Sequence, residues 1–408
     1  MSSRVVASKA QSGLETLAPL LAESRAQVLR REVELVRRVT APGAPSVIIF
    51  GAGFLGRRLR AALADVGAPP VAFADNDPRL WGSCVDGTPA ISPAEAAARY
   101  GPEGLFIVAA WNPGHAFAGT ARHLRAGGCR AVVSWIPLAW GLTAAELLPH
   151  YAAGYPSSVL AAAADVARVA SMWADSASTD EFVRQTRWRL SGDFADLADP
   201  MPDQYFPPDL LTLRPNEAFV DCGAFDGDTL REVVARCPGF GSVVAFEPDA
   251  TNFESLERCV AKLGKRGGRV RLHRAATDRR SGVRRFGGAG TSGALVDAPA
   301  GAVIGDDAGR GSVLCVSLDE VLDDVPVTFI KIDVEGGEAD TLRGAERLLR
   351  ERRPVIAVSA YHHQADLWEL PALLAALTEG DYHFHLRAHG PDAWECVLYG
   401  IPAERSRP

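Results

Sequence analysis

Twice along the chain an apolar run of strand length ends in a glycine turn, enters an amphipathic helix and returns as a second apolar run closed by an acid. The first instance is VIIF-GAGFLG from Val47, returning as VAFADND with Asp75. The second is AFVDCGAFDGDT from Ala218, returning as SVVAFEP with Glu247. Strand, turn, helix and strand form a βαβ unit, whose strands lie parallel with the helix on one face of the sheet. Two such starts in 408 residues therefore predict an α/β chain with two Rossmann-like domains, each built on a parallel-rich sheet.

The rest of the pattern sets the expected boundaries. Residues 1–44 form an N-terminal helical arm, with Leu14, Leu21, Val28 and Leu35 seven apart between residues 8 and 38. That spacing suits a helix capping the next domain or a self-associating arm, which would make the protein a homo-oligomer. The first Rossmann-like domain spans 45–141 and takes in LFIVAAW and a helix ending at GGCRAVVSW. Residues 142–215 read as a helical connector, with Ser178 or Thr179 as a helix N-cap, and end in the proline-rich DPMPDQYFPPDLLTLRPNE, a linker or an ordered loop. The second domain, 216–408, continues through RVRLHRAA, VLCVS, TFIKIDVEG, PVIAVSA and HFHLR. The late WECVLYG is a candidate antiparallel partner.

With 47% apolar and 23% charged residues, the chain can bury real cores. The net charge of −7 argues against nucleic acid as a partner. Seven cysteines form no CxxC pair and suit a reducing cytoplasm. No apolar run reaches the roughly 18 residues of a bilayer span, so no membrane partner is expected.

In open α/β sheets, ligands bind at the carboxyl ends of the strands, where glycines admit a ligand to the backbone and an acid on the next strand can accept ribose hydroxyl protons. Asp221, Gly223, Gly227 and Glu247 occupy such positions. FIKIDVEGGE delivers Lys331, Asp333 and Glu335 to another strand end, with period two placing them on one face; structurally, Lys331 would pair with Asp333 or Glu335. Gly336 and Gly337 then open a helix that begins with Glu338. His362 and His363 follow the next strand.

The blocks FVDCGAFDGDT, VVAFEPDATNFESL, VSLDEVL, FIKIDVEGGEADTLRGAERLL and RPVIAVSAYHH resemble, in order, the FkbM family of methyltransferases. That resemblance implies a methyltransferase sheet, S-adenosylmethionine as cofactor and methylation of a hydroxyl oxygen. It places Asp221, Gly223 and Gly227 along the cofactor's methionine part, Glu247 on its ribose, and Ala276 and Asp278 near its adenine. The first domain's Gly51, Gly53, Gly56 and Asp75 form a nucleotide-type fingerprint and resemble domains that bind nucleotide-sugars or NAD.

The expected function is O-methylation of a sugar, sugar nucleotide or other polyhydroxylated small molecule, so the acceptor partner is a carbohydrate or glycosylated metabolite. His362, at an unperturbed pKa near 6.5, is the expected general base. Asp333, Glu335 and Lys331 complete the catalytic group, and Asp333 also borders the cofactor. A divalent metal, Mg or Mn, held by Asp333, Glu335, Glu338 and a histidine is the variant. The rival functions are a nicotinamide-dependent sugar-nucleotide oxidoreductase or epimerase centred on the first domain, and a non-catalytic ligand-binding scaffold.

Overall fold

The computed structural model describes residues 15–143, 147–287, 294–296, 310–378 and 380–406. The chain divides into two units. Unit 1 comprises Met1–Met201 with His363–Leu367 and Ala388–Cys396; unit 2 comprises Pro202–His362, Trp368–Arg387 and Val397–Pro408.

Unit 1 is built on strands β1 (Val47–Phe50), β2 (Ala72–Ala74), β3 (Cys84–Val85), β4 (Thr88–Ile91), β5 (Leu105–Val108) and β6 (Ala131–Ser134), in the order β3-β4-β2-β1-β5-β6. Every pair except β3–β4 is parallel. β1 and β5 are buried at every position, as expected of strands covered on both faces. The chain winds outward from β1 to β2 and β4, then crosses back to β5, so the switch point lies between β1 and β5.

The N-terminal helix is not continuous. Residues 15–21 are helical, the chain breaks, and Ser24 caps a new helix, α1 (Arg25–Thr40). Gln27 N–H donates to the Ser24 hydroxyl, and the Gln27 side-chain oxygen accepts from Ser24 N–H at 3.0 Å. This reciprocal capping box restarts the helix inside the heptad pattern. Val28 and Val39 are buried, and Val36 abuts Gly141, at the end of the helix Ile136–Gly141, so closely that a Cβ there would collide with it. Much of the apolar stripe is thus spent within unit 1. Leu14 lies outside the described residues.

The connector's main helix, α2 (Ser176–Ser191), starts one turn earlier than expected: Asp175 is the N-cap, accepting from Ser178 N–H at 2.7 Å. The connector also does not run to 215. Tyr205, Phe206, Leu210 and Leu211 are buried in the core of unit 2, with Phe206 against Phe219 and Phe329. The proline-rich segment is therefore an ordered part of the second unit.

The main sheet of unit 2 contains β7 (Ala218–Cys222), β8 (Ser242–Phe246), β9 (Val270–His273), β14 (Phe329–Ile332), β15 (Val355–Ser359), β16 (Tyr382–Ala388) and β17 (Cys396–Pro402), in the order β16-β17-β15-β14-β7-β8-β9. β17 runs antiparallel to β15, as WECVLYG suggested. The strands between form a second sheet: β10 (Ala276–Thr277), β11 (Gly282–Gly287), β12 (Ala294–Val296) and β13 (Arg310–Val316), in the order β10-β13-β11-β12. The winding reverses between β7 and β14, where the stacked rings of Phe219 and Phe329 (4.9 Å) fill the core.

Candidate active site

The loops after β7 and β14 meet at this reversal. Gly223 has φ +82°, and a Cβ there would collide with the Asp333 carbonyl oxygen, so only glycine permits the approach. Gly227, at φ +88°, caps helix α3 (Asp228–Arg236) and has Cys259 Sγ 3.0 Å from where its Cβ would stand. Glu247 follows β8. Its Oε2 accepts from Phe225 N–H and its Oε1 from Asp249 N–H, both at 2.9 Å. Burial pushes its pKa up, while those amides and Asn252 oppose the rise. The acid thus ties the glycine loop to its own strand end.

Lys331 makes its ion pair across the sheet, to the neighbouring strand. It stands opposite Asp221 in the β14–β7 register and is 3% exposed, with Nζ 3.2 Å from the Asp221 carboxylate and donating to the Gly223 carbonyl at 2.5 Å. Burial works against its charge, but Asp221, Asp333 and Asp228 overcome it and hold the ammonium protonated. Burial pushes Asp221 up to about 6, with Lys331 pulling it back, so the pair is ionised at neutral pH. Both therefore act beneath the loops as an ion pair. The Lys331 pairing is with the neighbouring strand, not with Asp333 or Glu335, because β14 ends at Ile332 and Glu335 adopts φ +53°, outside the two-residue alternation.

Asp333, Glu335 and Glu338 converge instead on His362, three residues beyond β15. Its Nδ1 lies 2.8 Å from Glu338 Oε1, and its Nε2 lies 3.4 Å from Asp333 Oδ1 and 3.8 Å from Glu335 Oε2. Burial disfavours the charged ring, but the Glu338 hydrogen bond and the three carboxylates outweigh it and hold the pKa at about 10. The carboxylates thus favour the protonated ring, a shift upward from the unperturbed value expected for a general base. Asp333 is lowered despite burial by Lys331, His362, Tyr205 and Ser359. Glu338, 1% exposed, is lowered by His362 against its own burial; it also accepts from Val334 N–H at 3.0 Å and so braces the turn. Asp333 and Glu335 keep 22% and 28% of their side chains exposed, so they are the members a substrate can reach.

Tyr205 joins this site without having been singled out in the sequence. Its hydroxyl donates to Asp333 Oδ2 at 2.7 Å and its ring lies 5.4 Å from Lys331 Nζ. Only the proline-rich context pointed to its segment. Tyr205 also borders a cavity of about 430 Å³, whose wall includes Asp203, Gln204, Asp228, Thr229 and Arg231.

Ala276 and Asp278 lie in or beside the second sheet. Ala276 pairs with Cys315, while the buried Asp278 accepts from Arg279 N–H and Arg284 at 2.7 Å each. His363 is exposed, with Nδ1 3.5 Å from Asp366 Oδ1. In unit 1, Gly51 and Gly53 lie in the turn after β1 and Gly56 in the first turn of the helix Phe54–Asp65, while Asp75 follows β2, receiving Ala52 N–H and Asp77 N–H.

Residues 221–384 match the family model described as the methyltransferase FkbM domain. Among solved structures, methyltransferase FkbM from Methylobacillus flagellatus aligns with a TM-score of 0.70 at 21% identity, over 97% of this chain and 99% of that one. A putative rRNA-methylase from Clostridium thermocellum aligns with a TM-score of 0.31 at 12% identity, over 47% of this chain and 88% of that one. None of the curated proteins matches. No helix among the described residues is long and apolar enough to cross a membrane.

Proposed function

We propose that this chain, which carries an FkbM methyltransferase domain at residues 221–384, transfers a methyl group from S-adenosylmethionine to a hydroxyl oxygen of a sugar, sugar nucleotide or other polyhydroxylated small molecule. The observation that carries the reading is charge. Asp221, Asp333, Glu335 and Glu338 gather around Lys331 and His362 at the carboxyl end of the sheet, so four carboxylates face two cations. The surplus negative charge suits a cationic ligand, and Gly223 and Gly227 open the backbone beside it. The residues present fit the cofactor: Gly223, Gly227 and the Asp333 loop would hold its methionine part, and Glu247 its ribose.

The sulfonium, when bound, supplies an activated methyl group for in-line displacement. The protein's part is to align the acceptor hydroxyl and receive its proton. Asp333 and Glu335 are the proton acceptors in this reading. His362, held at Nδ1 by Glu338, lowers the Asp333 carboxyl and lies against both carboxylates on its Nε2 side. Mg or Mn is the variant of this reading: Asp333, Glu338 and His362 each offer a ligating atom, all within 4.8 Å of one another, and would hold it in place of the proton on the ring. The polar cavity beside Tyr205 suits a hydroxylated acceptor.

The test is titration calorimetry of S-adenosylmethionine into the full chain, followed by mass-shift detection of methyl transfer to a panel of sugars, sugar nucleotides, amines and thiols. Absence of cofactor binding refutes the assignment. Transfer to amines or thiols alone refutes the oxygen acceptor.

A further inference from the structure

We propose that unit 1 carries a ligand site of its own, a crevice at the β1–β5 switch point that takes a ribonucleoside phosphate. Its first support is the correspondence between the two units. Asp75 and Glu247 stand at equivalent strand ends and are held alike, each by one amide of the glycine loop and one from two residues further on: Ala52 and Asp77 for Asp75, Phe225 and Asp249 for Glu247. Gly51, at φ +104°, lies against the Ala109 carbonyl just as Gly223 lies against that of Asp333. A carboxylate has about four lone-pair sites, and the two amides leave the remainder for the vicinal hydroxyls of a ribose.

The second support is the surface around Asp75. Of the exposed large apolar side chains among the described residues, only two are aromatic, Phe54 at 75% and Trp81 at 45%, and both adjoin these loops, Phe54 directly after Gly53 and Trp81 bonded to Asp75. Trp81 donates its indole N–H to the Asp75 carbonyl at 2.8 Å, which fixes the ring beside the acid. Phe54 begins the helix after the glycine turn, and the Arg58 guanidinium lies 5.5 Å from the centre of its ring. An exposed, anchored indole is a stacking platform for a planar base, and an arginine beside the glycine turn complements a phosphate.

The units diverge at the third loop. Where unit 2 supplies Asp333 and Glu335, unit 1 supplies Ala109 and Trp111, both buried. The third loop of unit 1 thus carries no carboxylate at these two positions, and the inference is one of binding alone. This inference does not depend on methyl transfer in unit 2.

A ribonucleoside diphosphate can arrive free, as a sugar carrier or within a dinucleotide, so UDP, UDP-glucose and NAD⁺ are titrated separately into the full chain by calorimetry. Binding of any one identifies the source. Trp81→Ala, a surface change that should fold normally, is expected to weaken that ligand by about five- to 150-fold, the range for one base stacked on an aromatic ring. Asp75→Asn is expected to weaken it about tenfold or more and to abolish the preference for the ribonucleotide over its 2′-deoxy analogue. Glu247→Ala should leave it unchanged, which separates this site from the cofactor site. Binding of none of the three, or binding altered by neither Trp81→Ala nor Asp75→Asn, overturns the inference.

Discussion

Replacing Glu247 by alanine should weaken S-adenosylmethionine binding by about 1.5–3 kcal/mol, the range for a hydrogen bond to a charged group, or about ten- to 150-fold in Kd. The carboxylate is 5% exposed and already accepts from Phe225 N–H and Asp249 N–H. The substitution therefore removes the ribose acceptor and also releases the glycine loop. The two effects separate in a double-mutant cycle with the ligand as second partner. S-adenosylhomocysteine and its 2′- and 3′-deoxy analogues are titrated calorimetrically into the wild-type protein and into Glu247→Ala. If the carboxylate holds the ribose, the wild type discriminates against the deoxy analogues and the variant does not. If Glu247 only braces the loop, both proteins lose the same factor on deoxygenation. Equal discrimination in the two proteins, or an unchanged Kd in a variant that melts cooperatively, would refute the ribose assignment.

His362→Gln removes the imidazolium from among three carboxylates and leaves Glu338 buried, at a cost of about 3–5 kcal/mol in urea unfolding at neutral pH. Because the folded pKa of His362 is raised to about 10 from 6.5, its contribution is complete below about pH 6.5 and fades as pH climbs through 10. The difference between wild type and variant should shrink over that window, and a constant difference would contradict the charge assignment. Lys331→Met should destabilise by a similar amount, about 3–5 kcal/mol, by stranding Asp221, and adding Asp221→Leu should recover much of it; no recovery would show that Lys331 acts outside the pair. Tyr205→Phe removes a donor to Asp333 and so raises the carboxyl pKa, moving the acidic limb of the turnover profile to higher pH; an unmoved limb would take Asp333 out of the proton path. Chelation with EDTA should leave turnover unchanged, and loss of activity restored by Mg or Mn would reinstate a metal.

The two sheets were legible because their determinants are local. VIIF, LFIV, AFVDC and FIKI are apolar runs bounded by glycine turns, and that pattern alone fixes strands and crossovers. Where boundaries moved, a side chain made a bond that periodicity does not register. Ser24 exchanges bonds with Gln27 and interrupts a heptad that reads as continuous. Asp175 takes the Ser178 amide and starts its helix a turn ahead of the serine and threonine that looked like caps. Tyr205 and Phe206 lie between Pro202 and Pro207, yet they are buried in the second unit's core, because a polar-looking loop can still place large apolar groups at fixed positions.

The site was legible in its membership and not in its charges, and the reason is geometric. Sequence spacing located Asp333, Glu335, Glu338 and His362 at neighbouring strand ends, but a proton's affinity depends on the sum of fields at one ring. Glu338 alone, in contact with Nδ1, would orient His362 as an acid orients a catalytic base. Adding Asp333 and Glu335 on the Nε2 side surrounds the ring with negative charge and holds the proton. The same reasoning reverses the role of Lys331, which the β7–β14 register places against Asp221 and so withdraws from the cluster. A histidine beside one acid is a base in waiting; beside three the protonated ring is favoured, and in the proposed reading proton transfer passes to the carboxylates that remain partly exposed.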